Sequence, residues 1–159
     1  MSLLEINKTL DRVDTPPFFG PTAIAGGHET VRDVLLETPE LKFLIRYQAE
    51  AVPAILYRLE RAGGVRREET CIAYFLVLEK SREKRAIPDL LRYIDSLSEK
   101  DRERVESPWH PFRYAVEALA SLTALPLPNN SAQALFDKRH ALVAKARAAW
   151  EHGQDHRHP

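Results

Sequence analysis

Apolar positions recur at helical spacing through most of the chain. In "AVPAILYRLERA", Ala51 to Ala62, the residues Val52, Ile55, Leu56 and Leu59 fall at i, i+3, i+4 and i+7, one stripe of a helix. Pro53 then belongs near the helix start, because first-turn amides have no intrahelical acceptor. Deeper in a helix a proline costs about 3 kcal/mol. The stretch "AIPDLLRYI", Ala86 to Ile94, repeats the pattern 35 residues later: Ile87, Leu90, Leu91 and Ile94 form the stripe and Pro88 holds the same early position.

The segments downstream of the two copies are also alike. "GGV" ends the first helix after Ala62, and "RREETCIAYFLVLEKSR" opens a second one whose middle is apolar all round, the mark of a helix buried on several sides. After the second copy, "HPFRYAVEALASLTAL" places Phe112, Ala115, Val116, Leu119 and Leu122 on one face, with Ser107 and Pro108 reading as cap and first helical residue. Aligning Cys71, Ile72, Phe75 and Leu78 with Ala115, Val116, Leu119 and Leu122 takes an offset of 44 rather than 35, so the second unit holds nine extra residues within "SLSEKDRERVESPW".

The flanks extend the picture. "HETVRDVLLE" and "TPELKFLIRY" read as short helices, the second opened by Thr38 and Pro39. "LPLPNN" breaks the chain before "SAQALFDKRHALVAKARAAWEHG", which reads as one closing helix. No segment alternates with a period of two, so no sheet is expected. The expectation is one all-α domain over 1–159 of about six or seven helices. It divides into an N-terminal loop or cap over 1–27, repeats over 28–125, a capping helix over 131–152 and a flexible tail over 153–159.

A helical pair of about 35 residues, opened by Ala-Val/Ile-Pro and closed by an Arg/Ala-rich helix, resembles a HEAT-type repeat of the armadillo-like and PBS-lyase-type kind. "EAVPAILYRLERAGGVRREETCIAYFLVLEKSREKRAIPDLLRYI" looks like one unit running into the next, and "FRYAVEALASLTAL" looks like the next unit's second helix. The resemblance implies a short right-handed α-solenoid of stacked helical hairpins, since a lone two-helix unit cannot cover its own apolar stripe. It also implies a concave face built from the second helices, presenting Arg67, Tyr74, Arg113 and Glu117 to a partner. Members of this family include scaffolds, transport factors and a few enzymes, so the fold does not name the activity.

Charge and composition narrow the function. Lysine plus arginine number 23 and aspartate plus glutamate number 23, so no global field draws the molecule to nucleic acid or anionic lipid. The segment Arg58–Arg85 is only mildly basic and lacks the dense stripe that phosphate binding needs. No stretch approaches a membrane span or a signal peptide. Cys71, the single cysteine, sits among apolar neighbours and reads as a small buried hydrophobe, compatible with a reducing, cytoplasmic setting and a poor nucleophile.

Two loops stand out. "SLSEKDRERVESPWHPF" sets Trp109, His110 and Phe112 beside a charged run, so Trp109 is either a partner anchor or a staple between the loop and the following helix. "DTPPFFGPTAIAGGHET" carries Phe18 and Phe19 among prolines, as a plug over the end of a helical stack or as a ligand-lining segment. The His28–Glu29 pair resembles those of HEAT-like hydroxylases, which hold iron through several such pairs; one pair cannot supply that set, so no metal or cofactor is expected. His152 and His156 in the tail would share a face only if the helix ran past Gly153. The reading is a non-catalytic protein-binding or adaptor module, monomeric or weakly oligomeric, with Arg67, Tyr74, Trp109, Arg113 and Glu117 as contacts. A HEAT-like enzyme or enzyme-accessory protein and a weak nucleic-acid binder are the alternatives.

Overall fold

A computed structural model describes residues 1–15, 26–61, 68–128 and 130–155. Among them are nine α-helices: α1 (Leu3–Val13), α2 (His28–Leu36), α3 (Pro39–Arg46), α4 (Gln48–Arg61), α5 (Glu68–Ser81), α6 (Ile87–Ser96), α7 (Phe112–Thr123), α8 (Ala132–Asp137) and α9 (Arg139–Asp155). Short 3-10 turns span Lys84–Ala86 and Glu99–Asp101, and no strand occurs among the described residues. None of the helices is long and apolar enough to cross a membrane.

The helix α5 is the axis of the core. Nine consecutive residues, Thr70 to Leu78, are buried, so it has no solvent face over two and a half turns. Around it pack α7, α3, α4 and α2. The amphipathic α6 buries Ile87, Leu90, Leu91 and Ile94, the stripe read from the sequence, against α7, α9 and α4. The hairpins α4–α5 and α6–α7 therefore lie side by side, α4 touching α6 and α5 touching α7. Both second helices close on a left-handed non-glycine residue, Arg82 after α5 (φ 56°) and Ala124 after α7 (φ 57°).

Several boundaries differ from the sequence reading. The N-terminal segment expected as loop or cap contains α1, capped by the Ser2 hydroxyl accepting from the Glu5 amide and burying Ile6, Thr9, Leu10 and Val13 at i, i+3, i+4 and i+7. Thr38 does cap α3, accepting from the Leu41 amide. Pro53 lies inside α4 rather than in its first turn, because the helix starts at Gln48 immediately after the break at Tyr47. Pro88 keeps its early position, so the two copies are not equivalent there. Ser107 does not open α7: its hydroxyl accepts from the Trp109 amide in a turn, and α7 starts at Phe112 after Pro111. The expected single closing helix is two, α8 and α9, separated at Lys138. Nor does Gly153 end α9, which continues to Asp155 where a flexible tail was expected. Phe18 and Phe19 lie outside the described residues.

Candidate functional site

Polar contacts close the face that the second helices were expected to offer. Arg32 on α2 forks onto Glu79 of α5 through two bonds of 2.7 and 2.9 Å, with Glu117 of α7 at 3.9 Å. His28, at the start of the same helix, meets Glu117 at 2.6 Å, and its ring packs on Tyr114 with centroids 4.2 Å apart. Hydrogen bonding with Glu79 outweighs burial and raises the pKa of the Arg32 guanidinium. From α1, Asp14 accepts from both the Tyr74 hydroxyl and Arg58 of α4 (2.6 Å), while Thr70 donates to the Val13 carbonyl.

The predicted contact residues consequently scatter. Tyr74 is fully buried, with its hydroxyl spent on Asp14, and is corrected from a surface contact to a core residue. Glu117 is engaged by α2 rather than presented outward. Arg113 lies partly exposed on α7, and Trp109 is half-buried against the core, as a loop staple would be. Arg67 lies outside the described residues. The carboxylates of Glu29 and Glu117 and the His28 ring form the one group among the described residues with metal-ligand proximity, all within 4.8 Å. The set is broader than the lone His28–Glu29 pair seen in sequence. Arg32, however, already supplies a cation to Glu117 at its edge, and the helix α2 is fastened by the same bonds.

A cleft of about 530 Å³ opens elsewhere, between the C-terminal end of α4, the first half of α5, α6 and the long segment before α7. Its apolar lining comes from Leu59, Cys71, Phe75, Leu97 and Pro111, and its polar lining from Glu60, Glu68, Asp89, Arg92, Tyr93, Ser96, Asp101 and His110. The helix period explains the meeting: Asp89, Arg92, Tyr93 and Ser96 succeed one another at short steps along α6, on the side away from its buried stripe. The extra residues supply the other wall. Ser98 and Asp101 form a reciprocal capping box, which fixes Asp101 beside His110.

His110 is 3% exposed. Its Nδ1 accepts from the Phe112 amide at 3.2 Å and its Nε2 faces Asp101 at 3.4 Å. The ring is therefore neutral with the proton on Nε2, and burial lowers its pKa against the pull of Asp101. Burial likewise raises the pKa of Asp89, although Arg92 bonds to it, and that of Tyr93, with Cys71 and Asp101 adding to the effect. Cys71, 9% exposed, is packed as the sequence implied. Both nitrogens of the cleft's imidazole are committed inside the protein, so His110 cannot serve as a base to Cys71 in this arrangement.

Of this constellation the sequence points only to His110, beside Trp109; Asp89, Tyr93 and Asp101 carry no local signal of a shared site. A readable signal existed in the Ser98-x-x-Asp101 spacing, which marks the loop as an ordered turn. No family model, curated protein or solved structure matches the chain.

Proposed function

We propose that the chain is a non-catalytic protein-binding module of the cytoplasm, a short HEAT-like solenoid whose partner surface is the cleft rather than the face of the second helices. The side-by-side hairpins α4–α5 and α6–α7, continued by α3 on one side and α9 on the other, support the solenoid reading. The observation that carries the function is the cleft itself: an open apolar floor ringed by charged groups, the anatomy of an interface core and rim. Desolvation of Leu59, Leu97 and Tyr93 by a partner would supply affinity, and the carboxylates would supply register.

A HEAT-like enzyme is the second reading, favoured by the convergence of Asp89, Tyr93, Asp101 and His110 on one cleft. Against it stands the commitment of both His110 nitrogens. Affinity capture with the intact protein tests the proposal. Ser96 is an exposed cleft residue, so Ser96→Arg fills the cleft without disturbing the core. The expected result is loss of the captured partner with Ser96→Arg and retention with Arg113→Ala. Retention with Ser96→Arg and loss with Arg113→Ala or Trp109→Ala would return the surface to α7 and its preceding loop.

A further inference from the structure

We propose that the cleft receives a basic side chain of the partner polypeptide, an arginine or lysine whose alkyl stem lies on Leu59 and Leu97 and whose cation sits among Glu60, Asp89 and Asp101. This rests on the protein-binding reading and names its chemistry.

The charge of the cleft favours a cation. Among the described residues the lining contains the carboxylates of Glu60, Glu68, Asp89 and Asp101 and one arginine, Arg92, and His110 is neutral there because Nδ1 accepts a backbone proton. The chain as a whole is balanced, so this excess is local. Arg92 is shared between Asp89 and Glu60, and Arg104 reaches Glu68 and Asp101. Even so, the Asp89 side chain, only 9% exposed, stays under-compensated: burial shifts its proton affinity upward despite the adjacent guanidinium. A further cation entering beside it meets a desolvated carboxylate, where attraction is stronger than at an open surface.

An aromatic wall favours a cation independently of the acids. The Tyr93 ring packs against Phe75 with centroids 4.9 Å apart and lines the cleft, so an aromatic ring, which attracts cations, stands on the same wall as the carboxylates. Its hydroxyl has no hydrogen-bond partner among the described residues, although burial dominates its surroundings. Such a phenol oxygen accepts from a guanidinium or ammonium N–H. The apolar floor suits the methylene stem that arginine and lysine place behind their charge, and a volume of about 530 Å³ leaves space for flanking residues.

The test monitors backbone amides of the ¹⁵N-labelled full chain by NMR while three probes are added: acetyl-Leu-Arg-Leu-amide, acetyl-Leu-Glu-Leu-amide and free spermidine. The arginine peptide is expected to give saturable shifts at the amides of Leu59, Cys71, Phe75, Tyr93 and Ser96, weakened about tenfold by Glu60→Gln combined with Asp89→Asn. The glutamate peptide is expected to give none. Equal binding of the glutamate peptide, an unchanged affinity in the double variant, or no shift with arginine would overturn the proposal. Spermidine binding as tightly as the arginine peptide would overturn the polypeptide source and assign the cleft to a free amine. Should the double variant fail to fold by circular dichroism, Glu60→Gln and Ser96→Arg, both at exposed positions, carry the same comparison. Partner loss with Ser96→Arg but no arginine-peptide shift would sink the basic chemistry and leave the protein-binding reading standing.

Discussion

Replacing Arg32 with alanine is the sharpest probe of the closed second-helix face. The Arg32 and Glu79 side chains are each 14% exposed and joined by two charge-assisted bonds. Breaking a fully buried pair costs about 3–5 kcal/mol, because one charge is left without compensation, whereas an exposed pair is worth about 0.2–1 kcal/mol. At this burial, loss of about 2–3 kcal/mol is expected, since Glu79 would keep only water at the edge of α2. A domain of this size loses roughly 2–4 °C per kcal/mol, so the midpoint of thermal unfolding should fall by about 5–10 °C. Arg32→Lys keeps the charge but not the planar fork, and should recover about half of the loss. A double-mutant cycle with Glu79→Gln in urea isolates the pair, with a coupling of about 1–2 kcal/mol expected. A change below about 0.5 kcal/mol for Arg32→Ala would refute the reasoning, because α2 would then owe nothing to this bond.

Three further outcomes are expected. Tyr74→Phe removes the donor to Asp14 while keeping the buried ring, and should cost about 1–2 kcal/mol in urea unfolding; a neutral result would mean that Asp14 is satisfied without the tyrosine hydroxyl. His110 titrates near 6.5 in the unfolded chain and lower in the fold, because burial and Arg104 oppose the attraction of Asp101. The unfolded state thus takes up the proton first as pH falls below about 6.5, and stability declines until the folded imidazole titrates, then levels. His110→Asn offers an acceptor to the Phe112 amide without titrating, so it should abolish this part of the pH slope; an identical slope would remove His110 as its source. Ala124→Gly relieves a left-handed residue at the end of α7 and should raise the unfolding midpoint, by about 1 kcal/mol in stability; an unchanged midpoint would mean that the strain is absorbed elsewhere.

The helical character was legible because apolar residues at three- and four-residue spacing survive in α4 to α7, and because α5 is apolar all round. The same rule would have found α1, whose stripe includes Thr9; a polar residue that bonds back to the Glu5 carbonyl hid the period. Boundaries failed where tertiary packing outranks local preference. Pro53 is tolerated inside α4, whose Ala51, Val52 and Ile55 are buried, at a cost that the sequence cannot set against packing.

The site was less legible than the fold. Tyr74 and Glu117 carry polar groups on a second helix, so a repeat pattern points them outward. Their partners Asp14 and His28 lie 60 and 89 residues away, and no local spacing reveals them. The cleft depends on the same kind of distant meeting, with Glu60 from α4, Asp89 from α6 and Asp101 from the added turn.

Hydrogen exchange of the chain alone and with its captured partner tests the central claim most directly. The cleft account predicts slowed exchange at residues 59–60, 71–75, 93–97 and 109–112 on complex formation, with 28–36 and 113–117 little changed. Slowing confined to α2 and the face of α7, with the cleft segments exchanging as before, would contradict it.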